Sequence, residues 1–289
     1  ASEYGSIDFG YEVAVGRLPA DCEDEANKMV DRILNYESSP PQYRKGSVLY
    51  QAPNSWDTFV DTSIYPILNQ YIYPAIKAYP FSTSAMNTFI DTFNGGIDAA
   101  YIWAHGSPIG IGSGIGLVGI NDGQPGVLHN GGTVPLVETD QFPVVYAHSC
   151  STAYFDINPC DPIDRSVGWP GYKDCEGETF VVSGVSSSYI GYVRVGWGYG
   201  DEFGKDFWTR YCTFLPDAYR TGDALMLVKS MPVHQDASSR DFLVTTLFGD
   251  PETYHWRPPQ PPPPCFLSLS IARPPPPCPV EKFVPFGVN

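Results

Sequence analysis

The chain has 289 residues with 17 basic and 32 acidic side chains, and the resulting formal charge of −15 disfavours nucleic acid as a partner. No apolar run approaches the roughly 20 residues that a membrane-spanning helix needs, and the opening ASEYGSIDFG has neither the basic nor the apolar segment of a signal peptide. Few Lys and Arg beside 19 Tyr, 28 Gly and 29 Pro suit an extracellular or cell-surface protein, and the length allows one large domain with appendages.

Residues 11–19, YEVAVGRLP, alternate into a turn and read as a strand. DCEDEANKMVDRILNYE then sets Ala26, Met29, Val30, Ile33 and Leu34 at helical spacing behind an acidic first turn, and breaks at SSPPQ. A short apolar run at 46–52, GSVLYQA, precedes two helical stripes, SIYPILNQYIYPAIKAY and TSAMNTFIDTF, the second closed by NGG. Three near-continuous apolar runs follow: IDAAYIWAHG at 97–106, FPVVYAHSC at 142–150 and TFVVSGVSSSY at 179–189. Strands buried on both faces read this way, and their alternation with helices predicts a largely parallel α/β sheet. Helices around EFGKDFWTRYC and TGDALMLVKSM and a last strand in TLFGDPETYHW complete one domain over residues 1–257. From 258 the composition changes to PPQPPPPCFLSLSIARPPPPCPVEKFVPFGVN, where proline runs impose extended polyproline II, so residues 258–289 form a C-terminal arm. Its CFLSLSI stretch has the pattern of a strand that adds to a neighbouring sheet edge, and equally of a tail lying on its own domain.

Open α/β sheets place reactive groups just past the carboxyl ends of their strands. Three such ends here carry His105-Gly106, Cys150 and a serine-rich loop. A thiol of ordinary pKa near ~8.5 is mostly protonated at neutral pH, so a nucleophilic Cys150 needs an imidazole to take its proton. His105 and His148 are both candidates, the latter because residues i and i+2 of a strand share a face. The plainer reading of Cys150 is a buried structural thiol. The backbone N–H groups of Gly106 and Cys150 would supply the two donors that an oxyanion needs, and a glycine after the histidine lets the backbone come close. The seven cysteines, Cys22, Cys150, Cys160, Cys175, Cys212, Cys265 and Cys278, show no paired CxxC or CxxH spacing, which argues against structural zinc. Pairing Cys160 with Cys175, Cys265 with Cys278 and Cys22 with Cys212 would leave Cys150 as the odd thiol, although spacing alone does not dictate connectivity.

FIDTFNGGIDAAYIWAHGSP, VVYAHSCSTAYFD and TLFGDPE resemble the three signature stretches of the gingipain family of cysteine peptidases, relatives by fold of caspases and legumain. AVGRLP with the helix behind it and the GxAL of TGDALMLVKS match as well, so the similarity spans roughly residues 11–253. One glycine of the family's GHGS is alanine here. The resemblance implies a caspase-like three-layer α/β sandwich with a mostly parallel sheet, His105 as general base and acid, and Cys150 as nucleophile. His148 falls where the family tolerates other residues and reads as a core or supporting histidine, while His129, His234 and His255 lie outside the motifs. The resemblance also implies an upstream acid that holds the histidine, for which Asp57 and Asp61 of NSWDTFVDT both qualify. It implies a first specificity pocket from the loop after the third strand, read as GVSSSYIG, with Ser187, Ser188, Tyr189 and Ile190 near the substrate. Ile190 stands where trypsin-like members carry tryptophan. No cofactor is expected to be required; calcium as a structural ion is implied by family analogy and acidic charge, but no DxDxDG loop names its ligands. The insertion NPCDPIDRSVGWPGYKDC implies an extra wall at the site. The family's additional α/β subdomain ahead of the GRLP strand is not contained in these residues.

The expected function is a secreted cysteine endopeptidase that acts on protein or peptide substrates through a Cys150/His105 dyad and an acyl-enzyme. The alternative is a catalytically silent caspase-like surface-layer or filament subunit that self-associates, or attaches to a surface, through residues 258–289. His105, Gly106 and Cys150 together favour the enzyme, because a scaffold has no physical reason to keep all three. A serine hydrolase is disfavoured, since the only nearby serines are Ser149 and Ser151 and no GxSxG elbow exists.

Overall fold

A computed structural model of the chain describes residues 14–41, 45–52, 57–79, 82–113, 116–121, 124–129, 132–155, 174–195, 201–213, 220–231 and 244–253. Contacts divide the chain into two units, Ala1–Trp256 and Arg257–Asn289, and the second lies outside the described residues together with the expected arm.

A six-stranded sheet organises the first unit. Its strands are β1 (Ser47–Ala52), β2 (Ala75–Ala78), β3 (Ala99–Ala104), β9 (Val144–His148), β10 (Ser188–Tyr192) and β11 (Thr245–Gly249), in the order β11-β10-β9-β3-β1-β2. Every pairing is parallel except β10 with β11. The apolar runs at 97–106 and 142–150 became β3 and β9 because both faces of these strands are covered. Ala100, Ile102, Ala104, Val145 and Ala147 point into one buried cluster, and Ala99, Tyr101, Trp103, Val144 and Tyr146 into the other.

Helices α1 (Glu23–Ser38), α4 (Thr83–Asn94) and α5 (Glu176–Val182) cover the first face through Met29, Met86, Phe89, Phe93 and Phe180. The second face is covered by a continuous helical segment and a helix pair. The segment runs through α2 (Asp57–Phe59), a π-helical turn (Val60–Ile64) and α3 (Tyr65–Tyr71); the pair is α6 (Asp201–Thr213) and α7 (Thr221–Lys229). The alternating pattern predicted the largely parallel sheet, and the three-layer sandwich is the one that the family resemblance implied.

Several local expectations are corrected. Of the stripe read on α1, Met29 is buried while Val30 and Leu34 stay exposed, because the helix lies over the sheet by one narrow edge. The strand expected over 11–19 is described from residue 14 and contributes a single parallel bridge, Arg17 to Phe248. AIKA, read as part of a helix, is the edge strand β2. The run at 179–189 divides: Thr179–Val182 is the end of α5, the turn passes through Gly184 at φ +78°, and the strand begins only at Ser188. Between β3 and β9 the sequence also hides an antiparallel meander, β4 (Gly106–Ser107), β5 (Gly110–Ser113), β6 (Gly116–Asn121), β7 (Gln124–His129) and β8 (Gly132–Pro135).

Candidate active site

β3 and β9 are neighbours in parallel, with Trp103 level with His148 in the register. Continuing that register by two residues brings His105 level with Cys150, just past the carboxyl edge of the sheet. His105 is exposed and Cys150 partly buried. The backbones there approach closely: a Cβ on Gly106 would stand 2.5 Å from the Cys150 carbonyl oxygen and 2.9 Å from its nitrogen. Only glycine permits this approach. It brings the backbone after the histidine against that of the cysteine.

Each loop is pinned from behind. The carbonyl of His105 accepts the Gly112 N–H at 2.9 Å, so the histidine leaves β3 directly into the meander. Beyond Cys150 the chain turns through Ser151 at φ +58°, a left-handed conformation that costs energy for a side chain with a Cβ and that recurs at functional turns. That turn is held against the end of β10, where Ser151 N–H donates to the Arg194 carbonyl and Ala153 N–H to that of Tyr192, both at 3.0 Å. The start of α5 joins the two loops: Glu176 N–H donates to Pro108 O at 2.6 Å and Gly177 N–H to Thr152 O at 2.9 Å.

Glu176 is fully buried, accepts the Tyr189 hydroxyl at Oε1 (3.2 Å), and finds no partner for Oε2 among the described residues. Burial pushes its carboxyl well above the ordinary range. Glu178 accepts the Cys175 N–H at 2.9 Å across the first turn of α5, and burial raises its pKa to about 7.

His148 has a different environment. Its ring stacks on Trp103 with centroids 5.2 Å and planes 9° apart, meets the Tyr192 ring edge-on, and places Nδ1 3.3 Å from the Tyr101 hydroxyl. Burial lowers its pKa to about 3, so it is a neutral imidazole locked into the aromatic core and poorly placed to collect a thiol proton.

The sequence matches peptidase family C25 over residues 3–256. The chain belongs to that family, the gingipain family of cysteine peptidases. The fold matches the crystal structure of the Arg-specific cysteine proteinase gingipain R at a TM-score of 0.65 and 18% identity, over 86% of this chain and 56% of that one. A complex of the pro- and mature domains of gingipain RgpB from Porphyromonas gingivalis matches at 0.62 and 18%, over 86% and 58%. A further protease structure matches at 0.63 and 16%, over 86% and 57%. The chain thus spans little more than half of each of these structures. No curated protein matches.

Against this C25 frame the outer motifs acquire a structural role. A Cβ at Gly16 would meet Gly249 O at 2.3 Å, and one at Gly222 would meet the Pro251 side chain at 2.6 Å. GRLP, GxAL and FGDP therefore interlock, and they do so at the end of β10 remote from Cys150.

The specificity residues expected from the family need correction for the same reason. Ser187, Ser188, Tyr189 and Ile190 are all buried, and Ser188 is level with Val144, at the amino end of β9. Placing the strand at 179–189 slid the pocket loop back into the core; the segment that leaves β10 beside Cys150 begins at Val193. Asp61 is engaged elsewhere. Its carboxylate binds Lys77 and accepts the Tyr79 hydroxyl at 2.8 Å, beside the edge strand β2, and the Lys77 ammonium holds its pKa below the usual range. Asp57 opens α2, the helix whose Phe59 packs edge-on against Trp103 at 5.4 Å; its side chain lies outside the described residues.

Cys22 and Cys175 are free thiols. The pairings of Cys22 with Cys212 and of Cys160 with Cys175 are therefore not formed. The six-stranded sheet stands between α1, which Cys22 precedes, and the second cluster that buries Cys212, while Cys175 is buried at the start of α5. Cys160, Cys265 and Cys278, most of the insertion, His234 and His255 and the side chain of His129 lie outside the described residues. Among the described residues no group of three or more His, Cys, Asp or Glu is placed to hold a metal ion, and no helix is long and apolar enough to cross a membrane.

Proposed function

We propose that this chain is a secreted cysteine endopeptidase working through Cys150 and His105. The observation that supports it most is the parallel register of β3 and β9, which levels the two residues at the carboxyl edge while the bare backbone of Gly106 lies against that of Cys150. The His105 imidazole takes the thiol proton as the sulfur attacks the scissile carbonyl carbon, and the carbonyl π pair moves to oxygen. The Gly106 and Cys150 N–H groups hold that oxyanion. The pair returns as the C–N bond breaks, and the imidazolium gives its proton to the leaving amine, producing a thioester. Water, deprotonated by the same imidazole, attacks the thioester; the acid leaves and the sulfur recovers its proton. An extracellular or cell-surface location suits the acidic, Tyr- and Gly-rich composition.

The test is hydrolysis of an unfolded protein substrate by the full chain and by Cys150→Ala. Turnover by the first and none by the second is expected, with both equally folded by circular dichroism. Equal turnover by the two would overturn the reading.

A further inference from the structure

Two hydrogen bonds at the start of α5 bridge the loops that carry the proposed pair. Glu176 N–H donates to the carbonyl of Pro108, three residues past His105, and Gly177 N–H to that of Thr152, two residues past Cys150. From this junction the Glu176 side chain turns into the core, where its Oε1 accepts the Tyr189 hydroxyl at 3.2 Å. The Thr152 hydroxyl serves two acceptors, the Tyr189 oxygen and, at 3.4 Å, the carbonyl of Ser149. The space around it is tight: a Cβ on Gly191 would stand 2.8 Å from both Thr152 Oγ1 and Tyr189 Cε1. A line of polar contacts therefore runs from Glu176 through Tyr189 and Thr152 to the peptide that precedes Cys150, and all four residues are buried.

Packing alone does not account for an acid at the first position of α5. An apolar side chain of that size would be buried without the cost of desolvating a carboxyl. The line does, however, end on a turn that needs holding. Ser151, between Cys150 and Thr152, has φ +58°, and a left-handed residue of this kind persists where its surroundings over-determine it. Thr152 is gripped there twice, at its carbonyl by Gly177 and at its hydroxyl by Tyr189.

We propose that Glu176 is a positioning residue for the nucleophile: through Tyr189 and Thr152 it fixes the turn 149–152 and with it the direction in which Cys150 leaves β9. This inference rests on the peptidase reading above. A nucleophile displaced by a fraction of an ångström reacts more slowly while the substrate binds as before, so the effect belongs in kcat and not in KM.

The experiment measures kcat and KM on one fluorogenic peptide with the full chain, each preparation being titrated at Cys150 with a thiol-directed peptidyl probe so that kcat refers to folded enzyme only. Tyr189→Phe, which removes a single oxygen, should lower kcat roughly ten- to hundredfold with KM within about twofold. Glu176→Leu should do the same, and the double variant should be no slower than the slower single, because the residues act as one unit. Glu176→Gln keeps an acceptor for the Tyr189 hydroxyl and should retain kcat within about twofold. The same pattern is expected in the rate at which the probe labels Cys150, which decides the inference even if the peptide is not turned over. Wild-type rates in Tyr189→Phe overturn the inference and leave the peptidase standing, whether or not Glu176→Leu folds. A loss in Glu176→Gln as deep as in Glu176→Leu also overturns it, since the tie to Tyr189 would then be irrelevant. No hydrolysis by the unaltered chain, with Cys150 also inert to the probe, overturns both readings.

Discussion

Gly106 and the two histidines carry the most exacting expectations at the residue scale. Gly106→Ala forces a methyl to within 2.5 Å of the Cys150 carbonyl oxygen, so either that loop or the meander must move. A displaced oxyanion donor costs about 10²–10³ in kcat, and turnover of the best peptide substrate should fall by that much while KM changes little. Wild-type kcat in Gly106→Ala would mean that these N–H groups do not serve the reaction. His105→Ala should lose about 10²–10⁴, the usual worth of a positioned general base and acid.

His148 behaves differently because its pKa is depressed in the fold. A histidine that is neutral when folded and titrates near 6.5 when unfolded contributes stability that is intact above about 6.5 and is lost as pH falls from there towards about 3. His148→Phe, which keeps a ring on Trp103, should flatten this decline by up to about 1.4 kcal/mol per pH unit, read as urea midpoints between pH 7 and 5. Parallel pH profiles for the two proteins would show that His148 ionises freely and is not the core residue described here.

β3, β9, α4, α6 and α7 were legible because continuous apolar runs or helical stripes leave little choice. TFVVSGVSSSY was not: a short apolar run fits a buried strand or a helix end equally, and Gly184 with its positive φ was the signal that a helix stops there. That one misplacement moved the specificity pocket from the rim to the core. The meander β4–β8 was signalled by NDG and HNGG, both turn formers, and was passed over because glycine-rich strands carry weak alternation. The proposed pair His105 and Cys150 was readable as strand ends, whereas Glu176 acquires meaning only from the contacts of α5.

Glu176 offers a test at this scale. A carboxyl whose pKa is raised by folding costs stability above its unfolded value of about 4.3, and the cost grows as pH rises towards the folded pKa. Glu176 accepts the Tyr189 hydroxyl from β10, and burial raises its pKa. Glu176→Gln keeps the acceptor for the Tyr189 hydroxyl and removes the titration. It should match the wild type near pH 4 and exceed it at pH 7, by up to about 1.4 kcal/mol for each pH unit between. A variant less stable than the wild type at pH 7 would mean that the Glu176 carboxylate is ionised and stabilised by a partner.

At the scale of the molecule, the outer family motifs and the proposed pair, His105 and Cys150, occupy opposite ends of one sheet. GRLP, GxAL and FGDP lock the β10–β11 end through Gly16, Gly222 and Gly249, and the carboxyl edge is left to loops that can vary. The division at Trp256 implies that the first unit folds by itself: a chain ending at Trp256 should unfold cooperatively, within a few degrees of the full chain. A loss of cooperativity on truncation would show that the remaining residues belong to the domain core. The central claim is that this scaffold activates one cysteine out of seven. It is tested most directly by treating the full chain with a thiol-directed peptidyl probe under native conditions and mapping the labelled peptide by mass spectrometry, in wild type and in His105→Ala. The label should fall on Cys150 and not on the exposed Cys22, and its rate should drop at least about tenfold without His105. Labelling of Cys22 alone, or of Cys150 at the same rate in both proteins, would contradict the account.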